Sequence, residues 1–102
     1  MENRESYYGR MKKALDELNE KISALESKIK EAAADLSVKY KPELDELKKL
    51  RRQVEEKLQE FRDPAKTAFK DIIAGFDKAA SELNSALRKA YSRFNEDKSN
   101  GT

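Results

Sequence analysis

Four basic residues within five positions, Lys48, Lys49, Arg51 and Arg52, are the one cluster with enough positive charge to grip a phosphate. Contact with DNA or RNA would ask for further basic residues on the same face and usually for aromatic or base-reading side chains nearby. Glu55, Glu56 and Glu60 follow instead, so the cluster reads as a solvated helix face. Carboxylates are adjacent at Asp16-Glu17, Asp45-Glu46 and Glu55-Glu56, but neighbours along a helix point in different directions and are badly placed to share a ligand. A di-metal carboxylate bundle also needs Glu-x-x-His, and the chain has neither histidine nor cysteine. These absences remove thiolate chemistry, disulfides and most zinc and acid-base sites. Gly75 has no companion glycine to make a phosphate loop and reads as a close helix approach beside Phe76. Tyr7 and Tyr8 read as terminal aromatics docking on the nearest helix. No catalytic, cofactor-binding or metal-binding residue is expected, and no enzyme.

The elements that would carry these residues follow from composition. Of 102 residues, 41% are charged and 37% hydrophobic, with three glycines and two prolines, the bias of coiled coils and long helices. Lys plus Arg number 22 and Asp plus Glu 20, and a net charge of +2 singles out neither nucleic acid nor an anionic membrane as partner. The N-terminal MENRESYYGRMKK has no apolar core of a leader, and no run is long enough to span a bilayer. The expected address is the cytoplasm.

Residues 1–10 lack amphipathic pattern and are expected to be a flexible lead-in. From Met11, the positions Leu15, Leu18, Ile22, Leu25, Ile29, Ala32 and Leu36 alternate steps of three and four, a heptad repeat with apolar a and d positions. The next apolar positions, Tyr40, Leu44 and Leu47, advance eleven residues from Leu36 where two heptads need fourteen, a stutter that unwinds a supercoil locally. Pro42 lies inside it, so the pattern predicts one helix over 11–61 kinked near Pro42, with a fresh helix capped by Ser37 as the alternative. Leu47, Leu50, Val54, Leu58 and Phe61 carry the repeat on. Asp63-Pro64 then matches an N-cap with proline at the first helical position, predicting a tight turn and a helix over 64–95, with an unbroken rod as the alternative because the apolar phase passes smoothly from Phe61 to Ala65 and Ala68. That helix bears the broadest stripe: Ala65, Phe69, Ile72, Phe76, Ala79, Leu83, Ala86 and Ala90, with Ile73, Ala80, Leu87 and Phe94 alongside. Residues 96–102 are polar and expected to fray.

The stretches YKPELDELKKLRRQVEEKLQEF and AFKDIIAGFDKAASELNSALRKAYSRF also carry a family resemblance. A tyrosine before a charged Leu-rich repeat, a Lys-Leu pair near its end, and an aromatic, Gly-Phe, Ala-rich segment closing on phenylalanine stand here as Tyr40, Lys57-Leu58, Phe69, Gly75, Phe76 and Phe94. In this the chain resembles small bacterial coiled-coil domain proteins of cyanobacteria and proteobacteria, some described as stress-response proteins. It departs from them in lacking tryptophan where Phe69 and Ala80 stand, and in having Pro42 and Pro64. The resemblance implies a cytoplasmic, non-enzymatic, stress-associated protein and brings no site residues.

The expected fold is thus all-α, a long helical hairpin of coiled-coil type. Helices of about 75 and 48 Å cannot cover one another, which leaves Leu15, Leu18, Ile22, Leu25, Ile29 and Leu36 to a second chain. The second expected association surface is Phe69, Ile72, Ile73, Phe76, Leu83, Leu87, Tyr91 and Phe94. The partner is expected to be a second copy, dimerising into a four-helix segment, or another protein. The function expected is a structural or interaction scaffold; the rival is an amphipathic protein adsorbing to a lipid or granule surface.

Overall fold

A computed structural model describes residues 4–100 of the chain, in three helices: α1 (Arg4–Glu31), α2 (Ala34–Arg62) and α3 (Phe69–Asn100). Residues 1–3 and 101–102, parts of the expected flexible ends, lie outside the described residues. At 1.5 Å per residue the helices are about 42 to 48 Å long, and the molecule measures 53 × 21 × 17 Å, so all three lie along its length. The Arg4 guanidinium reaches the Phe61 carbonyl at one end, while Lys48 holds Glu26 nearer the other, which makes α1 and α2 antiparallel. Phe61 meets Phe69 and Tyr40 meets Phe94, each edge to face, so α3 turns back again and runs parallel to α1. The result is an up-down-up three-helix bundle.

Heptad spacing supplies the core. In α1 the buried residues are Met11, Leu15, Leu18, Ile22, Leu25 and Ile29; in α2 they are Tyr40, Leu44, Leu47, Val54, Leu58 and Phe61. Ile72, Phe76, Leu83, Leu87, Ala90 and Phe94 complete the core from α3. Two neighbours, rather than one, explain why α3 needs its wide stripe.

The single helix expected over 11–61 is two helices. The chain turns at Ala32-Ala33, where Ala33 is extended (φ −56°, ψ 149°) and Ser37 N–H bonds the Ala33 carbonyl inside the first turn of α2 instead of capping it. Energetics decide the break. Folding back buries six α1 side chains, each worth roughly 1.5–3 kcal/mol, whereas interrupting a helix at two alanines forfeits a few backbone hydrogen bonds of about 1 kcal/mol each. Pro42 interrupts nothing: α2 runs through it. Pro42 and Val38, whose carbonyl it leaves without a helical donor, are both exposed, so water reaches that carbonyl.

The ends differ from expectation as well. Residues 4–10 are helical, tied down by Arg4 and by Tyr8, which packs against the core. Asp63 does not start a helix at 64; it ends α2, with Pro64 in the following turn. Its Oδ1 accepts the Ala65 N–H at 2.9 Å and its carbonyl accepts the Lys66 N–H at 3.0 Å, a β-turn whose second position suits the fixed φ of proline. α3 then begins at Phe69, and it continues past the expected fraying point at 96 to Asn100.

Gly75 does mark a close approach. A Cβ there would lie 3.2 Å from Lys57 Cε and 3.3 Å from Cδ on α2. Lys57 is half-exposed and pairs with Glu60 at 3.2 Å, so its stem can give way. Gly75→Ala is expected to raise stability by roughly 0.5–1 kcal/mol through backbone entropy. Urea unfolding checks this, and a lowered midpoint would show that Lys57 is clamped.

Candidate functional site

The sequence-predicted association residues converge, but on each other. Leu15, Leu18, Ile22, Leu25 and Ile29 are buried within the chain, as are Ile72, Phe76, Leu83, Leu87 and Phe94. Leu36, Phe69, Ile73 and Tyr91 are half-buried against the same core. The expectation that the α1 seam lacks an intrachain cover is therefore corrected: it assumed a helix too long to be covered, and the turn at Ala32-Ala33 brings α2 and α3 onto it. Leu87 and Phe94, expected to face a second chain, are at most 1% exposed.

Around that core, charged side chains bridge helices. Lys48 donates to Glu26 Oε2 at 2.7 Å, and the Lys48 ammonium holds the Glu26 carboxyl below its ordinary range. Arg93 pairs with Glu43 at 2.9 Å. Of the basic cluster, then, Lys48 clips α1 to α2. Arg51 occupies the seam position between Leu47 and Val54; it is half-buried and pairs with Glu55 at 3.3 Å. Sequence reading treated both as solvated; the heptad count from Leu47 to Val54 carried the signal for Arg51. Asp16, Glu17, Asp45, Glu46, Glu55 and Glu56 are exposed. Among the described residues no three acidic side chains gather to hold a metal ion, and no helix is long and apolar enough to cross a membrane.

Polar and aromatic groups fasten both ends of the bundle. At the α1 start, Arg4 donates to the Phe61 carbonyl at 2.9 Å and lies 4.4 Å from the centre of the Phe69 ring. One cation thus meets the negative end of α2 and an aromatic face of α3. Arg62 sits over the Tyr8 ring and donates to its hydroxyl at 3.3 Å. At the other end the Tyr40 ring meets Phe94 edge-on at 5.4 Å, and its hydroxyl donates to Asp97 Oδ2 at 2.5 Å. Lys39 donates to the same oxygen at 2.8 Å. These contacts orient the helices against one another.

Burial, followed by the bond to Asp97, pushes the Tyr40 hydroxyl up to about 12. Lys39, and then Tyr40, holds the Asp97 carboxyl below its ordinary range. Because the folded state raises the tyrosine, its contribution is complete below the ordinary value of about 10 and fades as pH rises towards 12. Asp97 works in the opposite sense, contributing above the ordinary carboxylate range and fading as acid protonates it. Tyr40→Phe is expected to cost about 1 kcal/mol at neutral pH and to abolish a tyrosinate absorbance step centred near pH 12. Persistence of that step in the variant would contradict the assignment.

Fold and contacts define an antiparallel three-helix bundle with heptad seams. Comparison with protein-family models, curated proteins and solved structures yields no match.

Proposed function

We propose that this chain is a non-enzymatic protein-interaction module of the coiled-coil kind, working through helix faces, and that its first partner is a second copy of itself. One observation carries the reading: heptad-spaced apolar seams are flanked by interhelical ion pairs, Glu26 with Lys48 and Glu43 with Arg93. Apolar knobs with charged flanks are how helices select helical partners. A seam of this kind serves equally within a chain and between chains. The family resemblance of the stretch from Tyr40 to Phe94 supports a cytoplasmic, stress-associated setting.

The breadth of the α3 stripe, from Phe69 to Phe94, favours a second reading, adsorption to a lipid or granule surface. Its key residues are buried, so adsorption would require the bundle to open. Sedimentation equilibrium from micromolar concentration upward, paired with co-flotation on anionic vesicles, separates the two. The module is expected to exceed 11.7 kDa as concentration rises and to stay off vesicles. An 11.7 kDa species that floats with lipid would assign the adsorbing role instead; one that stays 11.7 kDa and does not float would remove the self-partner.

A further inference from the structure

The turn between α1 and α2 is made from residues that do not ask for a turn. Its sequence, Glu31-Ala32-Ala33-Ala34-Asp35-Leu36, contains the strongest helix former three times and no glycine or proline. α1 ends without the left-handed glycine that commonly stops a helix: among the described residues no backbone has positive φ. α2 is preceded at its N-cap by Ala33, which supplies no side-chain cap, where Ser, Thr, Asp or Asn would ordinarily supply one. Helical spacing of the apolar row also continues across the corner, through Ile29, Ala32, Leu36 and Tyr40 in steps of three, four and four, with a stutter in the heptad and no break. Local sequence therefore favours one continuous helix, and only the burial of α1 on α2 and α3 bends it.

That conflict has a resolution in which nothing is left uncovered. If Ala32 and Ala33 become helical, α1 and α2 fuse into one rod and α1 is carried away from its own α2 and α3. It can then pack on those of a second copy, whose α1 returns the exchange. We infer that this chain forms an exchanged dimer through the Ala32-Ala33 hinge, an inference that rests on the self-association proposed above. Every seam contact and the Glu26–Lys48 bridge re-form between copies, so the two states differ chiefly at the hinge. The hinge side chains are methyl groups, and Ala33 is exposed, so two rods can cross there without a bulky obstacle. The dimer consists of two three-helix bundles in line, not the four-helix segment that two docked hairpins would give. Mass action sets its population, and short hinges whose sequence prefers the extended form are where such exchange arises.

The test uses the full chain, unfolded and refolded at low and at high concentration, then sized by light scattering. The wild type is expected to yield the 11.7 kDa monomer from dilute refolding and a species of twice that mass from concentrated refolding. Ala33→Pro suits the observed φ of −56° but disfavours a continuous helix at that place, where its ring would press on the carbonyl of the buried Ile29, whereas Pro42 meets that of the exposed Val38. It should lower the dimer yield at least tenfold while keeping the helical signal of the monomer. Ala33→Gln, a helix former at the same exposed position, should dimerise as the wild type does and guards against a fold defect in the proline variant. The exchange itself is read by cross-linking Glu26→Cys to Lys48→Cys with a short bismaleimide in this cysteine-free chain. Linked chains that stay dimeric in denaturant support exchange. A dimer whose links remain within single chains, or one unaffected by Ala33→Pro, overturns the hinge while leaving self-association standing. A wild type that is monomeric after concentrated refolding overturns the exchange.

Discussion

Closure of the α1 seam onto α2 and α3 is the interaction on which the molecule depends. Six apolar side chains of α1, at the regular intervals from Met11 to Ile29, have no other cover within the chain. Their burial outweighs the preference of an alanine-rich segment for unbroken helix, and from that one bend follow the antiparallel pairing, the place of α3 and the sealing of its broad stripe. α3 lies in the groove between the other two, which is why rows that look redundant for one partner are both used: Leu83 and Leu87 are each essentially inaccessible.

The polar contacts take their meaning from that arrangement. Glu26–Lys48, Glu43–Arg93 and Lys39–Asp97 link different helices at partly exposed positions, where an ion pair is worth roughly 0–1 kcal/mol. They contribute little stability and fix which face meets which. Arg4 and Tyr40 do more at the two ends, because each joins a charge or hydroxyl to an aromatic ring of another helix, half-buried Phe69 in one case and buried Phe94 in the other.

The heptad from Leu15 to Ile29 was fully legible in the sequence, because a period of three and four survives whatever the helix packs against. The stripe of α3 was legible for the same reason, though not its owner: periodicity says that Leu87 and Phe94 are buried and is silent on whether the cover comes from this chain or another. The bend at Ala32-Ala33 was invisible, since alanines carry no stop signal and the bend is imposed by tertiary burial. Pro42 reads as lying within a continuous helix, and α2 does run through it, because an exposed helix face lets water reach the carbonyl that proline leaves unpaired. Asp63-Pro64 was correctly a turn and wrongly a helix start, because the fixed φ of proline fits the second position of a β-turn as well as the first turn of a helix. Arg51 reads as solvated because it is charged, yet its long side chain lies half-buried at the seam position between Leu47 and Val54.

One chain covers its own α1, and small-angle X-ray scattering on the dilute monomer reads that closure. A closed bundle predicts a longest dimension near 53 Å and a radius of gyration near 16.2 Å, with slight additions from hydration and the chain ends. A chain in which α1 and α2 form one rod from Arg4 to Arg62 would reach about 90 Å at 1.5 Å per residue, and a monomer of that length would contradict the account.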